Sequence, residues 1–254
     1  MNYTNNVRLI SRIDVKNNFV IKGIHLEGLR KVGDPLLVAK SYYEEGIDEI
    51  IFMDAVASLY QRNNLFDIIN NATKHVFVPI TIGGGIRKIE DIEQALNSGA
   101  DKIAINTQAI KTPEFIQEAS RIYGSQAIIG SIEAKKRGDS WEAYVDNGRQ
   151  ETGIDAIKWA IELESRGAGE LLITSIDKEG TKKGFDEELI QLISKSVSIP
   201  IISSGGAGNL EHIISLCNKT DTSGVAIASI IHYNDFKISD IKSKMVINNL
   251  NVRL

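Results

Sequence analysis

A (β/α)₈ barrel, the TIM barrel, built from two half-barrels that repeat one another is the fold class this sequence predicts. Eight apolar strand-like runs alternate with helical ones along the 254 residues, which is the size and rhythm of such a barrel. A glycine-rich loop occurs twice, as Thr81-Ile82-Gly83-Gly84-Gly85-Ile86-Arg87 and Ser203-Ser204-Gly205-Gly206-Ala207-Gly208. Each follows a proline-led apolar run, Val78-Pro79-Ile80 or Ile199-Pro200-Ile201. The pairs Glu49 and Glu170, Pro79 and Pro200, and Asp14-Val15-Lys16 and Glu133-Ala134-Lys135 all lie about 120 residues apart, so the second half restates the first. The alternative, an open doubly wound sheet, rarely needs eight such regular units. Two four-strand halves related by a pseudo-twofold close most naturally into a ring, and residues 1–254 read as a single domain.

In chain order, strands are expected at Arg8–Asp14, Glu49–Asp54, Val78–Ile82, Lys102–Ile105, Ala127–Glu133, Glu170–Ser175, Ile199–Ser203 and Gly224–Ala228. They are mostly continuous apolar runs, as parallel strands buried on both faces require. Helices are expected near Pro35–Glu45, Leu65–Thr73, Ile89–Ser98, Pro113–Ile122, Gly153–Arg166, Glu187–Ser196 and Leu210–Cys217, with a last one starting near Phe236 or Ser239. Asp34-Pro35 and Thr112-Pro113 each place a capping side chain before a first-turn proline. Thr152-Gly153-Ile154-Asp155 resembles a capping box. Gly46, Gly99 and Gly167 stand where helices stop.

Composition narrows the function classes. Charged residues make up 24% and the formal net charge is -4, so nothing suggests electrostatic capture of nucleic acid or membrane. The single Cys217 excludes an internal disulfide and reads as a buried apolar thiol. Four histidines, His25, His75, His212 and His232, lack ligand spacing, so neither a metal nor another cofactor is expected. No apolar run approaches membrane-spanning length, and the polar start Met1-Asn2-Tyr3-Thr4-Asn5-Asn6 is unlike a signal peptide. A soluble, cytoplasmic protein is expected.

Barrel chemistry sits at the C-terminal ends of the strands. Those positions hold Asp14, Asp54, Gly83 to Gly85, Asn106-Thr107, Glu133, Ser175 to Gly180, Gly205-Gly206 and Ser229. Each glycine loop is followed by an amphipathic segment and a strand ending in small residues, Asn106-Thr107 or Ala228-Ser229. Glycine lets backbone N–H groups approach an anion, and a helix N-terminus adds roughly half a positive charge. Two phosphate pockets are therefore expected, one at Gly85, Asn106 and Thr107, the other at Gly180, Gly206, Ala228 and Ser229. The pseudo-twofold sets Asp14 and Glu133 on opposite sides of the mouth between them. Facing carboxylates suit general acid and base work, although strand-end caps held by Lys16 and Lys135 would explain them too. The substrate expected is a small molecule phosphorylated at both ends and reacting near its middle. At the opposite rim, Arg8, Glu49, Lys102 and Glu170 open strands one, two, four and six. Four charges of alternating sign suggest a plug or gate rather than ordinary solvation.

These stretches together, with Val20-Ile21-Lys22-Gly23, Gly33-Asp34-Pro35, Gly99-Ala100-Asp101-Lys102, Arg166-Gly167-Ala168-Gly169-Glu170, Thr174-Ser175-Ile176-Asp177, Gly180-Thr181 and the ending Asn251-Val252-Arg253-Leu254, resemble the cyclase subunit of imidazole glycerol phosphate synthase. The resemblance covers nearly the whole chain. It implies a lyase of histidine biosynthesis that receives ammonia from a glutaminase docked on the bottom of the barrel. The ammonia reacts with the doubly phosphorylated ribulosyl-formimino aminoimidazole carboxamide ribonucleotide, giving imidazole glycerol phosphate and the aminoimidazole carboxamide ribotide. By the same resemblance Asp14 is the general acid and Glu133 the general base. Lys22, on a mobile loop, joins Asp54 and Thr174 in binding substrate. Arg8, Glu49, Lys102 and Glu170 form the ammonia gate, and Asp101 lies at the glutaminase junction.

Four positions depart from the family's pattern. Glu133 and Glu179 stand where Asp is usual, and Ser11-Arg12 stands where the first strand carries small residues and a Cys. An extra methylene moves a carboxylate by roughly an ångström, enough to cost about a hundredfold in rate. A second reading therefore remains, a cyclase-like ammonia conduit for surface-sugar amidation; Asp146-Asn147-Gly148-Arg149 resembles those relatives. A third, the single-chain isomerase preceding the cyclase, shares fold and phosphate pockets but has no use for a charged floor. The polar stretch Cys217 to Ser223 leaves the last helix end before strand eight open.

Overall fold

The computed structural model describes residues 6–55 and 65–254. Its first half holds β1 (Arg8–Lys16), β2 (Phe19–Ile24), β3 (Glu27–Gly33), β4 (Glu49–Asp54), β5 (Ile80–Gly83) and β6 (Lys102–Ile105). The second holds β7 (Ile128–Arg137), β8 (Ser140–Val145), β9 (Gln150–Asp155), β10 (Glu170–Ser175), β11 (Ile201–Ser204) and β12 (Gly224–Ile227). Parallel pairing runs β1-β4-β5-β6-β7-β10-β11-β12 and returns to β1, so eight strands close a barrel. Counted around that ring, β1 and β7 lie opposite each other.

Strand alternation divides the apolar residues between two layers. Ile10, Ile51, Ala104, Ile129, Leu172, Ile202 and Ala226 fill the lumen. Leu9, Ile50, Phe52, Ile103, Ile128, Leu171, Ile173 and Val225 point outward beneath the helices. Both faces are dry, which is why the strands read as unbroken apolar runs.

Several element boundaries differ from expectation for identifiable reasons. β5 and β11 begin at Ile80 and Ile201, just after Pro79 and Pro200. Proline has no N–H for the ladder, although the Pro79 and Pro200 carbonyls accept from Ile50 and Leu171 at 3.0 and 2.9 Å. β1 and β7 overrun Asp14 and Glu133 because each continues into an antiparallel hairpin, β2–β3 or β8–β9. These hairpins, absent from the expected elements, occupy the same place in each half and extend the internal repeat.

The helix expected from Gly153 begins at Ala156, since β9 runs through Asp155. Asp155, not Thr152, caps it, accepting from Ile157 and Lys158 at 3.1 and 3.0 Å. Asp34 caps the helix Pro35–Glu44 in the same way. Thr112 does not, because its carbonyl accepts from Phe115 and Pro113 itself is the N-cap. The helix Leu210–Lys219 outlasts the expected end at Cys217, and the Thr220 hydroxyl closes it on the Leu216 carbonyl at 2.8 Å. Cys217 is half-buried, and burial pushes its thiol up to about 12. No helix among the described residues is long and apolar enough to cross a membrane.

Candidate active site

The two glycine loops turn at matching places after β5 and β11. Gly84 and Gly85 have φ +89° and +77°, Gly205 and Gly206 +94° and +114°. A Cβ on Gly206 would come within 2.1 Å of the Gly184 carbonyl oxygen, so only glycine lets these segments cross. One strand later the repeat recurs. Asn106 and Ala228, after β6 and β12, share an unusual backbone, φ -117° ψ -82° and φ -140° ψ -76°, and each opens a short helix.

The first loop borders a cavity of about 100 Å³, lined among others by Gly84, Gly85, Asn106, Thr107, Lys111 and Glu133. Asp54 also lines it. The second loop borders a space of about 10 Å³ with Gly180, Ala228 and Ser229. The expected phosphate-binding residues thus gather in two groups, one per half. In the second group Arg12, Lys22 and the buried Glu179 join the lining.

Asp14 and Glu133, both buried, project from opposite strands between these pockets. Neither is held by Lys16 or Lys135. Asp14 accepts from Arg12 Nε at 2.9 Å and lies 3.6 Å from Lys22 Nζ. Burial works against its charge, yet Arg12 and then Lys22 hold the carboxyl below the usual range. Among the described residues no cation forms an ion pair with Glu133. It accepts from Asn106 Nδ2 at 3.1 Å and from the Gly148 N–H at 2.8 Å. Burial pushes it up to about 7 against the weaker pull of Arg12. The pair is thereby split, one carboxyl charged and the other poised near neutrality.

The β2–β3 hairpin lies across the mouth. Leu26 packs with Tyr144 and Ile176, and His25 Nδ1 meets the Ile176 carbonyl at 2.9 Å. Lys22 thereby enters the site and pairs with Glu179. Thr174 lies deeper, its Oγ1 accepting from Arg12 NH1 at 2.8 Å. Reasoning from sequence missed Gly148 and Tyr144, whose carbonyl accepts from Asn106 Nδ2 at 3.1 Å. Asp146-Asn147-Gly148, flanked by the alternating Trp141 to Val145, is the hairpin signal that would have placed them.

At the other end of the lumen the four rim charges meet. Arg8 pairs with Glu49 at 2.6 Å and with Glu170, and Lys102 pairs with Glu49 at 3.3 Å and Glu170 at 2.9 Å. Four ion pairs close one ring. Asp101, exposed on the same rim, caps β5 by accepting from the Ile80 N–H at 2.8 Å.

Similarity to known proteins agrees with this layout. A model of the histidine biosynthesis protein family matches residues 8–237. The "Imidazole glycerol phosphate synthase subunit HisF" of Legionella pneumophila is 56% identical over 207 residues, 81% of this chain and 98% of that protein. The subunits of the same name from Streptococcus mutans and Hydrogenobaculum are 43% and 45% identical, each over 97% of this chain and 98% of their own length. With the match spanning the barrel from its first strand to beyond its last, the chain belongs to the histidine biosynthesis protein family, and its near-full-length relatives there are HisF subunits.

Proposed function

We infer that the protein is the cyclase subunit of imidazole glycerol phosphate synthase, working in a complex with a glutaminase subunit. The relatives support this role, and nothing favours the sugar-amidation conduit. The observation that carries the chemistry is the pair of carboxyls between two glycine-loop pockets. A doubly phosphorylated ribonucleotide spans the mouth, its phosphates on the N–H groups of the two loops and of the helices after β6 and β12. Ammonia from the glutaminase, docked at the rim bearing Asp101, passes the ion-pair ring and rises through the apolar lumen to the reacting carbon.

The electrostatics favour the proton steps in the reverse sense to the family resemblance. Asp14, held charged by Arg12 and Lys22, is the base that takes a proton from the attacking ammonia. Glu133, up at about 7, is protonated in a substantial fraction at neutral pH and donates. Lys22 already lies between Glu179 and Asp14, and an incoming phosphate competes with Glu179 for it.

The test is turnover of the ribonucleotide with ammonium salt and no glutaminase. Native protein is expected to form imidazole glycerol phosphate. Asp14→Asn is expected to lose at least a thousandfold, and Glu133→Asp to retain activity within about tenfold. Native protein that makes no product while still raising glutamine hydrolysis in the complex would move the assignment to the conduit.

A further inference from the structure

Arg12 is the only buried arginine among the described residues. It belongs to the inward column of β1, in which Arg8, Ile10, Arg12 and Asp14 alternate with residues facing the helices. Ile10 lies in the apolar lumen layer, so the Arg12 guanidinium stands directly above that layer and beneath the carboxyl of Asp14. Its NH1 donates to Thr174 Oγ1 on β10 at 2.8 Å and to Ser204 Oγ on β11 at 3.3 Å. From β1 these are three and two strands away around the ring. The side chain thus crosses the lumen on its β10–β11 side. On the other side Met53, Ala104 and Ser131 leave the cavity of about 100 Å³, which runs from the apolar layer at Ala104 up to Glu133 and the first glycine loop.

We propose that Arg12 is a positioning residue of this active site: it holds the Asp14 carboxylate and walls off the β10–β11 side of the lumen, so that ammonia reaches the substrate through the cavity lined by Met53, Ala104 and Ser131. The proposal rests on the cyclase reading. A guanidinium suits the task because it stays charged when buried and its planar fork bonds a carboxylate and two hydroxyls at once. Other groups facing Asp14 cannot substitute for it. Lys22, from β2, is shared with Glu179. His232, on the helix after β12, is pushed down to about 4 by burial and by Lys22, and so is neutral. Asp54 ends the adjacent β4 beside Val15, and Glu133 lies across the lumen; both are acidic.

Two variants test it, Arg12→Met, of similar length without charge, and Arg12→Lys, with charge but no fork. The first readout is the ¹³C carboxyl titration of Asp14, assigned by its loss in Asp14→Asn. Arg12→Met is expected to raise the midpoint by at least one pH unit, and Arg12→Lys to leave it within half a unit. The second readout is ammonium-driven turnover. In Arg12→Met kcat is expected to fall about a hundredfold, KM for the ribonucleotide to change less than threefold, and the acid limb of the pH profile to follow the carboxyl midpoint. Arg12→Lys is expected to restore the limb and only part of kcat. An unchanged Asp14 midpoint in folded Arg12→Met overturns the proposal. If Arg12→Met does not fold, wild-type kcat in Arg12→Lys overturns it. Native protein without turnover overturns the cyclase reading instead, and the carboxyl titration then decides the hold of Arg12 on Asp14 alone.

Discussion

Glu133 makes the sharpest case at the scale of single residues. Its folded pKa of about 7 lies above the ordinary carboxylate value of 4.5. Below about 4.5 the group is protonated in both states and costs nothing. As pH rises toward 7 the unfolded chain ionises first, so stability is lost across that window. A shift of this size corresponds to roughly 3 kcal/mol. Glu133→Gln is therefore expected to raise the melting temperature at pH 8 and leave it unchanged at pH 4, as calorimetry at the two values would reveal. Equal gains at both would mean that the carboxyl is not buried as charge. The sequence disclosed the opposition of Asp14 and Glu133 through the repeat, but not their partners. Arg12 was legible in parity, since it shares a strand face with Arg8 and Asp14. Parity says that a side chain enters the lumen; it does not say that Thr174 and Ser204 wait on strands far off in the chain.

Among the elements, the barrel strands and most helices followed from apolar runs and caps, whereas the two hairpins did not. Residues Phe19 to Gly33 carry no continuous apolar run, because one face of a hairpin over the mouth is wet. Val20 and Ile21 bury the base of the first hairpin, whereas its tip makes fewer contacts. Leu26 supplies the apolar contact and stands at φ +64°, with its neighbour His25 at +52°. Left-handed backbone at two successive non-glycine residues is costly. Leu26→Ala removes the contact and keeps the strain. Amide exchange across residues 19–33 is expected to quicken at least tenfold, while the barrel strands keep their protection. Because Lys22 travels with this hairpin, KM for the ribonucleotide should rise. Unchanged exchange would show that the Lys22 and His25 contacts hold the hairpin unaided.

At the scale of the whole molecule, ring closure and the repeat were both legible, and the polar floor follows from them. Glu49 and Glu170 are buried, and each takes two cations. Lys102→Met leaves them to share Arg8. Loss of one partner from such a buried network is expected to cost about 2 to 3 kcal/mol, seen in urea unfolding. The exposed Lys244–Glu211 pair is the control, and Lys244→Met should not move the midpoint. In the assembled complex, Arg8→Met is expected to lower glutamine-driven turnover far more than ammonium-driven turnover. Equal losses by both routes would place the defect at the site and not at the floor.

The matched backbone at Asn106 and Ala228 has a further consequence. On the proposed reading, a substrate with a phosphate at each end meets two similar receptors and has two directions in which to lie across the mouth. Only one direction brings its reacting carbon beneath the right carboxyl; the other is a bound but barren pose. What separates the two in free energy is whatever breaks the pseudo-twofold, and Arg12 and Lys22 stand on one side alone. A preference of about 1.4 kcal/mol already means ten productive encounters for each wasted one. The internal repeat thus poses a problem of direction, and the different cations of the two pockets, Arg87 and Lys111 in one and Arg12 and Lys22 in the other, bear on it.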